Sequence, residues 1–306
     1  MKTHLIQAAR AALQWRLLLL WCGVTLLPSL VLALPVWQYL NVLSHSVLAP
    51  ELAVSLNHPA LADLIHGFRE QGGGVRNGAL LSAVLALLLS PLLCGSVITA
   101  ARSRQTLGFR ALWSGGLAEY PRLLRTLIWA IVPVGLALGA AQGLHSLAES
   151  HGEKAVLASS AENVALLATI ASVVLLAFAN LTLDAGRAAL AIDKRRSSAV
   201  KGWWRGLKLL ARYPGAVLGL YLALSLGGLL LAGLLGIARV NVPTGQIVGF
   251  IGGLLLTQAI VLVLAWMRSA RLFALIALAH ADDVRHGGGV AKAAKVKAPA
   301  IESIDA

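Results

Sequence analysis

Charge is scarce in this 306-residue sequence: 13% of residues are Asp, Glu, Lys or Arg, 58% fall in the hydrophobic set, and the mean hydropathy is +0.78. Soluble domains carry about 25% charged and about 45–50% apolar residues, so this balance excludes an ordinary water-soluble enzyme and fits a chain solvated by lipid. Cysteine is almost absent. Cys22 and Cys94 both lie inside apolar runs, which leaves no disulfide framework and no ligand spacing for zinc. Acidic residues are half as frequent as basic ones, 13 against 26, giving a net charge of +13. In a soluble chain that excess would indicate nucleic acid. In a chain this apolar it is a topology signal, and no nucleic-acid partner is expected.

Catalytic constellations are missing as well. HExxH, the P-loop, GxSxG, GxGxxG and clustered Cys/His ligands do not occur, so no catalytic residue, metal or cofactor is expected. His45, His58 and His66 share one segment, but their spacings of 13 and 8 residues place them on no common helix face. His280, Asp282, Asp283 and His286 are denser and read as the cap of a last helix.

What the sequence does contain is long apolar runs. A bilayer core about 30 Å thick takes about 20 apolar residues of helix, because lipid cannot satisfy a broken backbone hydrogen bond. Six stretches qualify, near 17–40, 79–101, 126–148, 164–183, 216–238 and 247–267. The first is too long for the apolar part of a signal peptide and is read as a retained anchor. Segments 1–16, 102–125, 184–214 and 268–306 hold 22 Lys and Arg, whereas 41–78, 149–163 and 239–246 hold four. Basic residues stay preferentially cytoplasmic, so both termini are expected inside. A helix-forming stretch from Asn57 to Phe68 is expected outside, ending at Gly72, Gly73 and Gly74.

Each odd-numbered span is preceded by a basic segment with a helical period. In 199–212, Lys201, Arg205, Lys208 and Arg212 line one strip, and Val200, Trp203, Trp204, Leu207 and Leu210 line the other. That is the pattern of a helix lying in the membrane interface. Pro214 then allows a break and a turn into the fifth span. Segment 107–125 repeats the pattern with Arg110 and Trp113 before Tyr120 and Pro121, and segment 2–16 repeats it a third time. Arg102, Arg187 and Arg271 follow small residues 85 and 84 residues apart, a spacing consistent with three tandem units. The expected fold is therefore all-α: a polytopic six-span bundle of three hairpins, each preceded by a cytoplasmic amphipathic helix. Residues 1–286 form one domain, and 287–306, rich in Gly and then in Lys and Ala, read as a disordered tail.

Small residues are expected to hold the spans together, through Gly135, Gly139 and Gly143 of the third, Gly228, Ala232 and Gly236 of the fifth, and Gly249 and Gly253 of the sixth. Pro28, Pro35, Pro91 and Pro133 read as bends tolerated where Ser or water supplies the missing bond. Intramembrane polar groups are expensive and mark candidate sites. Asn180, Asp184 and Arg187 share a helix face, Asp184 can pair with Arg187, and Gln258 is a weaker candidate in the sixth span.

The segments 92–127 and 184–222, LLCGSVITAARSRQTLGFRALWSGGLAEYPRLLRTL and DAGRAALAIDKRRSSAVKGWWRGLKLLARYPGAVLGLYL, carry arginine after small residues, aromatic elbows and a helix-start proline. In these features the chain resembles uncharacterised bacterial six-helix inner-membrane proteins, similar in hairpin arrangement to the membrane domain of glycerophosphodiester phosphodiesterases. The resemblance implies a bacterial inner-membrane location and a non-enzymatic role, without the catalytic domain. The expected function is a scaffold, a lipid-associated protein or a component of an envelope or transport system. Anionic lipid is the expected partner at Trp203, Trp204, Arg205, Lys208, Arg212, Arg110 and Trp113. A protein partner or a second copy is compatible with this reading. A small-solute or lipid transporter using Asn180, Asp184 and Gln258 is the alternative, and a membrane-embedded lipid enzyme stands behind both.

Overall fold

With no water at membrane depth to bond the backbone, apolar runs of this length fold as helix. A computed structural model describes residues 2–45, 73–103, 105–154, 158–192, 198–242 and 247–296. Within them the helices are α1 (Lys2–Ala11), α2 (Trp15–Ser44), α3 (Gly73–Arg102), α4 (Phe109–Trp129), α5 (Ile131–Gly152), α6 (Ala158–Ile192), α7 (Ala199–Arg212), α8 (Pro214–Val240) and α9 (Ile247–Val296). Six stretches are long and apolar enough to cross a membrane: Trp15–Asn41, Gly73–Arg102, Phe109–Gly152, Ser159–Ile192, Pro214–Val240 and Ile247–Arg285. The chain is an all-helical, multi-pass membrane protein by length and composition. The stretch expected as a helix from Asn57 to Phe68, with His58 and His66, lies outside the described residues.

The spans run antiparallel in sequential pairs. In α2 and α3, Gly78 lies against Pro35, and the Ser82 hydroxyl donates to the Pro28 carbonyl at 2.7 Å. In α8 and α9, Gly253 lies beside the Arg239 guanidinium and Gly228 against Met267. In α5 and α6, Gly152 meets Ala161, and α5 buries Ala137, Ala141 and Ala148. The glycines expected to pack the third span do not do so: a Cβ on Gly135, Gly139 or Gly143 would meet nothing within 4 Å, and the same holds for Gly236. The alanine stripe of α5 faces its partner and the glycine stripe faces outward. The buried alanines show that a Cβ fits between α5 and its neighbours, and alanine has the better helix propensity, so nothing in the packing requires glycine there.

At one end, which carries Arg102, Ile192 and Pro214, the pairs converge. Leu17 and Trp21 of α2, Val97 and Ile98 of α3, Leu181 and Ala188 of α6, Val217 and Tyr221 of α8, and Leu272 and Leu275 of α9 share one buried cluster. Toward the other end, Leu34, Trp37, Leu80, Leu136, Leu166, Leu230 and Phe250 are exposed, as suits side chains that lipid can solvate. Packing among these five spans is therefore concentrated in the basic half, and α5 contributes no residue to the cluster.

The short helices α1 and α7 and the start of α4 cross the spans at this basic end. Helix α7 crosses α6 where Gly206 meets Ala185 and Gly186, backbone to backbone, and α4 crosses α3 where Gly116 meets Leu92 and Gly95. Helix α1 packs on α9, with Ala8 and Ala12 buried beside Ala270 and Ala274, and the Trp266 indole donates to the Ala9 carbonyl at 3.0 Å. Each short helix thus rests on the end of an even-numbered span. The first, α1, rests on the last, α9.

Two expected breakpoints differ. Helix α4 runs through Tyr120 and Pro121 without interruption. Ion pairs at Glu119 and burial of Leu123 and Thr126 hold the segment on both sides of the proline. The helix ends instead at Ala130, just before Pro133, which has no N–H for the Trp129 carbonyl. By contrast, Tyr213 leaves the helical region with φ −131° and ψ 57°, and Pro214 opens α8. At Pro91 the Ser90 hydroxyl donates to the Leu87 carbonyl at 2.9 Å, the acceptor that the proline leaves without an N–H. Helix α9 continues to Val296. It therefore carries Arg268 and Arg271 inside a helix rather than at its edge, and it enters the segment expected as a tail.

Candidate functional site

Three groups of polar side chains gather at the basic end. The outermost is the face of α7. Ser198 caps this helix, its hydroxyl accepting from the Lys201 N–H at 3.4 Å. Ala199, Gly202, Gly206, Leu209 and Leu210 are buried. The crossing at Gly206 fixes the rotation of the helix, which leaves Lys201, Trp204, Arg205, Lys208 and Arg212 exposed. Trp203 turns inward instead of facing lipid: its indole donates to the Thr182 hydroxyl at 3.2 Å and meets Trp129 edge-on at 5.8 Å. Arg212 pairs with Asp282 of α9 at 3.0 Å. Arg110 and Trp113 of α4 are also exposed. Trp203→Phe is expected to cost about 1 kcal/mol, the usual net worth of one hydrogen bond. Thermal unfolding of this variant, of Thr182→Val and of the double variant would show non-additive losses.

The second group clamps the end of α6. Glu119 accepts from Arg122 Nη1 at 2.7 Å and from Arg102 Nη1. The two guanidiniums also donate to α6 carbonyls, Arg102 to Ala191 at 2.7 Å and Arg122 to Leu190 at 2.9 Å. The last carbonyls of a helix have no partner within it and sit at the negative end of its dipole, so cations there are favourable. Sequence reading missed this clamp because its members come from three helices.

The third group lies within the spans. Arg187 donates to Asp184 at 2.8 Å, one helical turn apart on α6. Arg271 of α9 stacks over the Tyr221 ring of α8 at 4.7 Å and donates to the Ser225 hydroxyl at 3.2 Å. Asp184, Arg187, Arg268 and Arg271 all lie within electrostatic reach of Tyr221. Cys94 of α3 lies within reach of Asp184, Arg187 and Arg268. Asp184, Arg187 and Arg271 are half-buried and Arg268 is exposed. Arg268 was not singled out in the sequence, and Arg271 was noted only for its spacing, because both were counted as residues after the sixth span. The signal that identifies them is the apolar run 272–279 beyond them.

The other intramembrane candidates stand apart from this group. Asn180 is exposed, and its amide donates to Leu176 on its own helix at 2.9 Å. Gln258 accepts from Cys22 Sγ at 3.0 Å, a contact between α2 and α9. No group of three or more His, Cys, Asp or Glu with metal-binding geometry occurs among the described residues. Arg102, Arg187 and Arg271 thus do three different things: one clamps a helix end, one pairs with an aspartate and one stacks on a tyrosine. Close glycine approaches occur at two places, Gly95 with Gly116, and Gly186 of α6 with Gly206 of α7 at their crossing. The chain matches no family model, no curated protein and no solved structure.

Proposed function

We propose that this chain is a non-enzymatic protein of the bacterial inner membrane, a lipid-associated scaffold or a component of an envelope or transport system. Its three hairpins are each preceded by an amphipathic helix at the cytoplasmic surface, both termini are cytoplasmic, and its basic end holds anionic headgroups. The observation that carries this reading is the orientation of α7. Its small and aliphatic residues are spent on α6, and Lys201, Arg205 and Lys208 stand exposed beside Trp204. Cations near an anionic leaflet contribute about 1 kcal/mol each, and an exposed indole prefers the interface. The likeness to the membrane domain of glycerophosphodiester phosphodiesterases belongs to the same proposal. The transport alternative required Asn180, Asp184 and Gln258 to line one path. Asn180 faces outward and Gln258 is engaged with Cys22.

Two measurements test the proposal. Arg205→Cys is expected to react with a membrane-impermeant maleimide only after the membrane is opened, and labelling in intact cells would reverse the topology. Purified from an equal mixture of phosphatidylglycerol and phosphatidylethanolamine, the protein is expected to retain the anionic lipid preferentially at low salt. Replacing Lys201 and Lys208 together with glutamine removes about 2 kcal/mol of attraction and is expected to weaken retention by roughly tenfold or more. Retention indifferent to both salt and these lysines counts against the surface reading.

A further inference from the structure

We propose that the arginines Arg187 of α6 and Arg268 and Arg271 of α9, beside Tyr221 and Ser225 of α8, bind one phosphate monoester group. This site lies inside the bundle, goes beyond the surface contact of α7 and does not depend on it. Asp184 stands eight residues before the end of α6 at Ile192, and Tyr221 stands seven residues after Pro214 opens α8. At 1.5 Å of rise per residue, both are about 10–12 Å inside the basic end.

The charges there do not balance. Arg187, Arg268 and Arg271 all act on Tyr221, and among the described residues that do so the one carboxylate is Asp184, which pairs with Arg187. Charge at membrane depth is costly and is normally paired. Arg271 has only neutral partners, the Tyr221 ring and the Ser225 hydroxyl. Its Nε–H is buried and has no acceptor among the described residues. A buried donor left unmade is an unfavourable state that an incoming acceptor relieves.

Guanidinium groups present parallel N–H donors that match phosphate oxygens in pairs, and arginine keeps its charge in apolar surroundings. Two excess positive charges call for about two negative ones, which a phosphate monoester supplies near neutral pH. A phosphodiester or a carboxylate supplies one. Arg268, three residues from Arg271 on the same helix, is exposed and within reach of a ligand from outside the bundle.

The full chain, purified in non-ionic detergent, is titrated with dioctanoyl phosphatidic acid, dioctanoylglycerol and inorganic phosphate. Binding is read by native mass spectrometry and by thermal shift. Salt at about 0.5 M suppresses adsorption to exposed lysines, so a failure of the surface reading leaves this titration untouched. One equivalent of phosphatidic acid is expected to bind and to raise the melting temperature, and dioctanoylglycerol is expected to do neither. Arg268→Gln, at an exposed position, is expected to bind about tenfold more weakly. Arg271→Lys, which keeps the charge and loses the paired donors, is expected to weaken binding as well. Competition by inorganic phosphate at similar concentration would identify a soluble phosphate as the ligand, and failure to compete would identify the lipid. The proposal is overturned if neither phosphate compound binds the wild type, or if Arg268→Gln and Arg271→Lys bind as well as the wild type does.

Discussion

Glu119→Ala is expected to destabilise the solubilised protein more than any other single charge deletion at the basic end. Glu119 pairs with both Arg102 and Arg122, and all three side chains are mostly withdrawn from solvent, with 14–21% of their surface exposed. Deleting one member of a buried ion pair costs about 3–5 kcal/mol, chiefly because the remaining charge stays buried without compensation. Here two guanidiniums lose a carboxylate at once and repel each other across the gap. They also cap α6 through the carbonyls of Leu190 and Ala191, so the end of α6 and the crossing of α7 on it should loosen together. Arg212 and Asp282 provide the contrast. That pair is 3.0 Å long, but the arginine is 47% exposed, and solvent-exposed pairs contribute about 0–1 kcal/mol. Apparent melting temperatures of Glu119→Ala and Asp282→Asn, taken at one scan rate, should separate clearly. Equal, small shifts in both variants would show that the clamp does not hold α6.

The spans were legible in the sequence because lipid imposes a requirement that one-dimensional hydropathy reports directly: about 20 apolar residues with every backbone group bonded internally. The break at Pro214 was legible for a similar reason, since a ring nitrogen at the first helical position loses nothing. Pro121 was misleading because the local rule omits what surrounds it. A helix can carry an interior proline when the residues on both sides are anchored, as Glu119 and Leu123 are. The sixth helix runs on past Arg268 and Arg271, which the count of basic segments had placed beyond the span. Arg271 is held by the Tyr221 ring and the Ser225 hydroxyl, and Arg268 is exposed.

The rotation of α7 was half legible. Its period identified the basic strip correctly, but both remaining strips carry apolar residues, and hydropathy alone assigned Trp203 and Trp204 to the same side. Backbone approach decides between the strips. Gly206 of α7 and Gly186 of α6 have little hydropathy of their own, yet they let the two helices touch along their main chains, while Gly202 makes room for the Leu190 side chain. The same reasoning explains the outward glycines of α5: a small residue permits a close approach, and whether one occurs depends on a neighbour that the local sequence does not name.

That dependence leads to the second large expected effect. A Cβ added to Gly206 would stand 2.5 Å from the carbonyl carbon and 2.8 Å from the oxygen of Ala185, closer still to the Gly186 nitrogen. These are main-chain atoms of a helix and cannot rotate aside. Gly206→Ala is therefore expected to cost at least the about 1–3 kcal/mol typical of overpacking, and Gly206→Leu more, because its side chain would wedge α7 off α6. Displacing α7 would also part Trp203 from Thr182 and expose the Leu209 and Leu210 face, so cleavage by trypsin at Lys208 should accelerate along with the loss of thermal stability. Gly139→Ala supplies the control. Its added methyl group meets nothing within 4 Å, and alanine is the better helix former by about 1 kcal/mol in peptides, so stability should hold or rise slightly. If Gly206→Ala melted with Gly139→Ala and kept Lys208 equally protected, the crossing of α7 on α6 would have to be wider than the structure places it.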